Sequence, residues 1–425
     1  MGKIYNKIEY MPDKIAKIFF VLTSLIALDY NMDNGNVFEN NLTYLISQHV
    51  TNCWGESGKG CGIMPMEVKK ITLKDIAQAS GYSLVSVHRA LNNKEGVSKA
   101  VKQEILNVAN EMGYTANYVA SALKRRQVNL AVVLPEPEEG GKYYFRYIWK
   151  GCKVYEAEEE GYNMNVMNYT FSVDGDSGDR EQVEILKNLY EEWGGQLDGL
   201  LTAPNINSSR MECLLSQFTA KGVAVVLIDN DFKDCGRLCC VAPNDTFTGQ
   251  LAAELMNMVL KGQKGTILVA AGDEGSLSHK MNAAGFEEYF RKNNADITVR
   301  CIQDLYRAEA NRQQMLACLR EDKSIIGAYS VRARNTIPLC EAAMDSGRIN
   351  ELFLVGSDLF PESAQMLSDG ILKAIVYKGP YQKGYQGYKT LFEYLIKGIP
   401  PKGEAISVPI SIILQNNIKF YEEFI

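Results

Sequence analysis

The stretch Thr72-Leu73-Lys74-Asp75-Ile76-Ala77-Gln78-Ala79-Ser80-Gly81-Tyr82-Ser83-Leu84-Val85-Ser86-Val87-His88-Arg89-Ala90-Leu91 decides how this 425-residue chain is read. Thr72 and Asp75 have the spacing of a capping box, which opens a helix. Leu73, Ile76 and Ala77 give that helix one apolar face. Gly81 supplies the backbone freedom that a tight inter-helix turn needs. Ser83 can cap a second helix over 84–91, with Val87 and Leu91 on one side and Leu84, Val85, His88 and Arg89 on other faces. Two helices joined by such a turn form a helix-turn-helix, whose second helix enters the DNA major groove by its N-terminus.

Moving outward, Ser98 caps a third helix in which Val101, Ile105, Val108 or Ala109, and Met112 recur at helical spacing, and Gly113 ends it. A short fourth helical candidate over 118–124 runs into Lys124-Arg125-Arg126. A plain three-helix packing unit is the alternative, and charge argues against it. Residues 67–127 hold ten lysines and arginines against five acids, a net of +5, in a chain whose total is −6. A basic module on an acidic body is the pattern that phosphate binding produces.

The run from Ile71 to Asn92 closely resembles the DNA-binding head of the lactose-repressor (LacI/GalR) family of bacterial regulators. Val97-Ser98, Gly113-Tyr114, Asn117, Ala120 and Leu123 continue the likeness at matching spacing. The resemblance implies roles. Leu84, Val85 and His88 stand on the recognition helix, Leu84 and Val85 facing base edges. Arg89 is the groove-facing arginine, whose planar fork suits guanine. Ser83, Ser86 and Asn92 hold phosphates. Asn117 belongs to the hinge helix, and Leu123 is its minor-groove wedge. His88 stands where the family usually has serine, Tyr82 where it has valine, and Ala116 where it has proline. The operator sequence is therefore not transferable from relatives.

After Gln127 the pattern changes. Short apolar runs at 130–134, 197–201, 223–228, 266–270, 325–329 and 352–355 read as buried strands. Helical patterns separate them, at 147–160, 180–192, 211–221, 249–260, 282–292, 308–320 and 337–346. The fold class is α/β. A helix-turn-helix head with a hinge helix precedes two lobes of doubly wound parallel sheet. The region also resembles the family's effector domain, of periplasmic binding protein type I character. Asn244-Asp245, Ala284-Gly285-Phe286, Gly356-Ser357-Asp358 and the run 377–384 carry this looser likeness.

In such a two-lobed protein, loops after strands face a cleft. Asp358 matches a family position that binds a ligand hydroxyl, and a carboxylate can accept two hydroxyls at once. Asn282 stands where many relatives have a ligand-gripping arginine, which points to a neutral ligand or a different grip. Tyr143, Tyr144 and Phe145 offer faces for a sugar ring. Asp245, His279, Arg332 and Tyr377 complete the ligand-site set. Asp245 also fits a helix cap, and Arg332 a surface ion pair.

Catalytic signatures are scarce. The chain has three histidines, with no Gly-x-Ser-x-Gly elbow, phosphate-loop signature or His-Glu-x-x-His motif. Its ten cysteines lack Cys-x-x-Cys spacing, which fits buried thiols in a reducing cytoplasm. Neither an enzyme nor a metal or other cofactor is expected.

Residues 1–66 resemble nothing recognisable. Their apolar run, 16–28, is too short to span a bilayer. They read as a disordered extension or as an over-extended gene start, with Met66 the natural beginning; a membrane or partner-binding tail is the second reading. The domain plan is thus 1–66, a head and hinge over 67–127, and an effector-binding and dimerisation domain over 128–425. The chain reads as a cytoplasmic, homodimeric or larger regulator, a repressor of carbohydrate metabolism. It binds double-stranded operator DNA without engaging a membrane, and a sugar or sugar derivative between the lobes controls it. The alternative is a sugar-binding receptor with a degenerate head.

Overall fold

The computed structural model describes residues 72–91, 96–112, 126–159, 161–173, 175–205 and 207–425. The chain divides into two compact units, Met1–Tyr114 and Thr115–Ile425.

In the first unit, α1 (Leu73–Ser80), α2 (Leu84–Leu91) and α3 (Lys99–Glu111) enclose a small core of Ile76, Val87, Ala90, Ile105 and Ala109. Local chemistry sets each boundary. The Thr72 amide donates to Asp75 Oδ2 at 2.7 Å, and the Asp75 amide donates back to Thr72 Oγ1 at 3.4 Å, closing the capping box. Gly81 closes α1 at φ 73°, with its amide on the Ala77 carbonyl. Ser83 Oγ accepts from the Ser86 amide at 3.1 Å, and Ser98 Oγ from that of Val101 at 3.3 Å. Tyr82 donates to Glu104 at 2.6 Å, fastening the turn to α3.

The second unit holds two six-stranded sheets. In the first lobe, β1 (Val128–Pro135), β2 (Met164–Phe171), β3 (Gly199–Thr202), β4 (Ala224–Ile228) and β5 (Cys239–Ala242) alternate with α4 (Phe145–Glu158), α5 (Gly175–Trp193) and α6 (Ser209–Ala220). Helix α7 (Asp245–Val259) leads into the second lobe. There β6 (Gly265–Ala270), β7 (Ile297–Ile302), β8 (Ile325–Ser330), β9 (Phe353–Ser357) and β10 (Ala374–Tyr377) alternate with α8 (Leu277–Asn293), α9 (Ala308–Glu321), α10 (Thr336–Asp345) and α11 (Pro361–Ser368). The chain then returns through α12 (Pro380–Phe392) and β11 (Ala405–Ser407) and ends its sheets with β12 (Ser411–Ile413). The strand orders are β11-β5-β4-β3-β1-β2 and β12-β10-β9-β8-β6-β7, parallel except for β12 against β10.

Strand alternation explains why these runs read as apolar throughout. Leu130, Val132 and Leu134 face α4 and α12, whereas Ala131 and Val133 face α5 and α6. Ile267 and Val269 face α7 and α8, and Leu268 and Ala270 face α9 and α10. A strand covered on both faces must be apolar at every position. Six strands that the apolar runs did not announce complete the sheets. β2 and β7 are edge strands with exposed polar positions, and β5, β10, β11 and β12 have four residues or fewer.

The lobes are joined where the chain passes between sheets, after β5, after β10 and between β11 and β12. One helix pair in each lobe crosses at glycines. A Cβ on Gly249 would strike the Asn282 carbonyl, and one on Gly285 that of Thr246. Gly151 and Gly384 meet the carbonyls of Tyr381 and Ile148 in the same way. These contacts fix α7 on α8 and α12 on α4 at close range. Among the described residues, no helix is long and apolar enough to cross a membrane.

Candidate functional site

On α2, Leu84 and Val85 are 43% and 59% exposed, and His88 and Arg89 are exposed beside them. Val87 and Ala90 turn inward instead. The helix therefore presents a row that its own core does not require. Arg89 lies over Gly96, where a Cβ would come within 2.9 Å of a guanidinium nitrogen. Ser83 and Ser86 are joined hydroxyl to hydroxyl at 2.9 Å at the start of the helix. Asn92, Asn117 and Leu123 lie outside the described residues.

In the second unit, a cavity opens between the lobes at the C-terminal ends of the strands. Both strand orders reverse there, β1 beside β3 in one lobe and β6 beside β8 in the other, the places where doubly wound sheets form a crevice. Tyr143, Tyr144 and Phe145 follow β1; His279 and Asn282 follow β6; Arg332 follows β8; Asp245 follows β5. All seven line the cavity.

Asp358 and Tyr377 do not line it. Asp358 is fully buried one layer behind. Its Oδ1 accepts the Lys378 amide at 3.0 Å, and its Oδ2 lies 3.1 Å from Lys378 Nζ. The aliphatic stem and ammonium of Lys378 thus occupy the place on the wall where Asp358 was expected. Tyr377 is buried among the second-lobe core and donates to Gln382 at 3.2 Å.

A buried polar cluster adds two residues that the sequence does not single out, Asp229 and Lys383. Lys383, 1% exposed on α12, donates to Tyr144 Oη and to Asp229 Oδ1. Tyr144 also donates to Asp229 Oδ2 at 3.0 Å. Burial first, then the Asp229 charge, pushes the Tyr144 hydroxyl well above its usual range, so it stays protonated as a donor. Asp229 and Asn230 directly follow an apolar strand, so the rule that singled out Asp358 also reaches them. A buried lysine inside a helix gives no such signal.

The second-lobe side is equally ordered. Arg332 Nη1 lies 2.8 Å from buried Asp304 Oδ2, so its partner is an interior acid and not a surface one. Burial opposes the Asp304 charge. Arg332, Asn311 and the Tyr306 amide outweigh it and hold the carboxyl below its ordinary range. His279 Nδ1 accepts the Asp273 amide at 3.0 Å. Burial, reinforced by Arg332 and Lys378, lowers its pKa well below the usual value. The ring is neutral and carries its proton on Nε2. Asn282 Oδ1 accepts from Tyr329 at 3.0 Å, which commits its amide group to donation elsewhere.

Asn244, not Asp245, caps α7, with Oδ1 accepting the Phe247 amide at 3.1 Å. Asp245 is left on the cavity wall without a hydrogen-bond or ion-pair partner among the described residues. The lobes also touch directly. Asn230 Oδ1 accepts from the Ser278 amide at 3.2 Å, the Asn207 amide donates to Gly275 O at 3.3 Å, and Tyr143 meets Phe360 edge-on at 4.9 Å.

Comparison with known proteins agrees with this architecture. Residues 132–399 match the periplasmic binding protein domain family, and residues 72–117 match the bacterial regulatory proteins of the lacI family. The HTH-type transcriptional regulator DegA of Bacillus subtilis is 25% identical over 296 residues, covering 68% of this chain and 82% of that protein. The ribose operon repressor of Bacillus subtilis is 21% identical over 346 residues, covering 80% and 97%. Among solved structures, an ABC transporter solute binding protein from Agrobacterium vitis with bound D-fucose aligns with TM-score 0.62 at 20% identity. It covers 69% of this chain and 98% of that one, a likeness of fold.

Proposed function

Because this chain belongs to the periplasmic binding protein domain family and carries a lacI-family head ahead of that domain, we propose that it is a DNA-binding transcriptional regulator of carbohydrate metabolism controlled by a small sugar-like effector. Relatives named as a transcriptional regulator and a ribose operon repressor support the class. The observation that carries the reading is a polar cavity between two lobes, in the same chain as a helix that leaves Leu84, Val85 and Arg89 to solvent.

In this reading α2 enters the major groove. Arg89 reads a guanine, Leu84 and Val85 meet thymine methyls, and Ser83 and Ser86 hold phosphate. The effector sits among Tyr143, Tyr144, Phe145, Asp245, His279, Asn282 and Arg332, and closes the lobes about their three connections. Asp358 acts through Lys378, and Tyr377 supports the wall from behind. The protein acts in the cytoplasm as a homodimer, since one recognition helix is too small for tight, selective binding. Repression relieved by the effector is the preferred sign.

Footprinting of the full chain on the region upstream of its own gene tests the reading. A protected, salt-sensitive site is expected. Absence of specific protection, with and without sugars, would remove the regulator reading and leave a sugar receptor. That receptor would show itself by sugar-dependent thermal stabilisation.

A further inference from the structure

Three cations facing the cavity are already neutralised by carboxylates of the protein. Lys383 holds Asp229 and Tyr144. Lys378 Nζ lies 3.1 Å from Asp358 and donates to Val331 O at 2.9 Å. Arg332 is committed to Asp304. Arg334, half-buried at the cavity edge, donates to Tyr306 O at 2.6 Å. Among the acids, Asp273 Oδ1 already accepts from the Gly275 amide at 2.7 Å and from Tyr306 Oη at 3.0 Å.

Asp245 stands apart. It is half-buried on the wall, Asn244 has taken over the capping of α7, and its carboxylate has no partner among the described residues. Burial is the largest influence on it, opposed by Lys383 and Lys378 and assisted by Asp229 and Asp358. Together they push its carboxyl up to about 7. Neutral donors at the cavity include the Nε2–H of His279, the amide of Asn282 and Asn205 Nδ2, which is buried without a hydrogen-bond partner.

An anionic ligand fits this set poorly. A phosphate monoester brings nearly two negative charges and calls for uncommitted cationic donors. Away from Arg334 at the edge, it would have to take a lysine or Arg332 from its carboxylate, leaving an unpaired acid in the interior. It would also meet Asp245. A hydroxyl pair, by contrast, donates to Asp245 without adding charge. Resting on the sugar-sensor reading above, we infer that the effector is an uncharged sugar or polyol, that Asp245 accepts a pair of its hydroxyls, and that Asp245 is the residue that rejects phosphorylated and carboxylated sugars.

The test is calorimetry and thermal shift on the full chain with matched pairs: ribose and ribose 5-phosphate, glucose and glucose 6-phosphate, galactose and galacturonate. Neutral members are expected to bind about 100-fold more tightly than their anionic partners, the scale of a close like-charge contact. An anionic member binding as tightly as its neutral partner overturns the inference and leaves the sugar-sensor reading standing. Stabilisation by no member of either class overturns that reading and the inference with it. In Asp245→Asn, folded as judged by an unchanged ligand-free melting profile, the preference for the neutral member is expected to shrink by about tenfold. An unchanged preference removes Asp245 from its selective role. The wild-type pairs decide the charge of the effector even where the variant misfolds.

Discussion

Asp229 and Asp358 occupy matching places in the two lobes. Each directly follows a parallel strand, β4 or β9, and each has left-handed backbone, φ 65° and 58°. Each sends its amide to the neighbouring strand, to Val241 O at 3.1 Å and Val376 O at 2.9 Å. Each carboxylate holds a lysine, Lys383 or Lys378, from the segment that passes back between the lobes. The chain crosses the cleft under two ion pairs, which ties lobe geometry to a few side chains.

The first of these pairs has the more deeply buried lysine, Lys383 at 1% exposure against 8% for the Lys378 side chain. Lys383→Met removes the only ion-pair partner that Asp229 has among the described residues and strands a carboxylate beside Tyr144. A loss of about 3–5 kcal/mol in urea denaturation is expected. Adding Asp229→Asn to that variant should restore a large part of it. A single-variant loss below about 1 kcal/mol would show that the pair is not closed in solution.

Packing at the glycine crossings makes a sharper steric demand. Gly285→Ala places a methyl against the backbone carbonyl of Thr246, which has no flexible end to yield. Separation of α7 from α8 is expected to cost about 1–3 kcal/mol, read as a lower denaturation midpoint. Gly262→Ala is the contrast, with backbone strain and no clash: unlike the helical Gly285 it has left-handed φ, 82°, and its Cβ would meet nothing within 4 Å.

Asp245 gives a pH dependence of definite sign. Its carboxyl rises from an ordinary 3.8 to about 7 on folding. The native state therefore holds a proton that the unfolded chain has released. Stability from this group is complete below about 3.8, falls as pH rises toward 7, and is level above that. Asp304, held below its ordinary range, works oppositely and loses its contribution only in acid. Asp245→Asn should therefore gain on wild type as pH rises from 4.5 to 7, in denaturation curves taken at each pH. A constant difference would show that Asp245 stays solvated.

Arg89 separates base reading from charge. Arg89→Ala should weaken operator binding by about 1–3 kcal/mol and relax preference at one base position. Binding selections on randomised operators would show this. Uniform weakening across all sequences would make Arg89 a phosphate contact.

Much of this was legible from sequence where the signal is local. Thr72, Asp75, Gly81, Ser83 and Ser98 act through neighbours three or four residues away, so the head could be read helix by helix. Runs such as 130–134 announced strands because sheets covered on both faces demand apolar residues at each position. β2 did not announce itself, because an edge strand tolerates Asn165 and Asn168. The rule of loops after strands leads to the cleft but does not tell Asp358 from Asp229. Which acid reaches the wall depends on where Lys378 and Lys383 come to rest, and no spacing in the sequence encodes that. The apolar pattern starts α7 and α8 late, since their first turns carry Asp245, Ser278 and His279, residues that serve the cavity and not the core.

Coupling between cavity occupancy and DNA grip is tested most directly by the operator affinity of the full chain with and without sugar. With a sugar chosen by thermal shift and supplied at saturation, operator affinity should change by about 5–150-fold, and operator should change sugar affinity by the same factor. Equal operator affinity in both conditions, with the sugar demonstrably bound, would contradict the account.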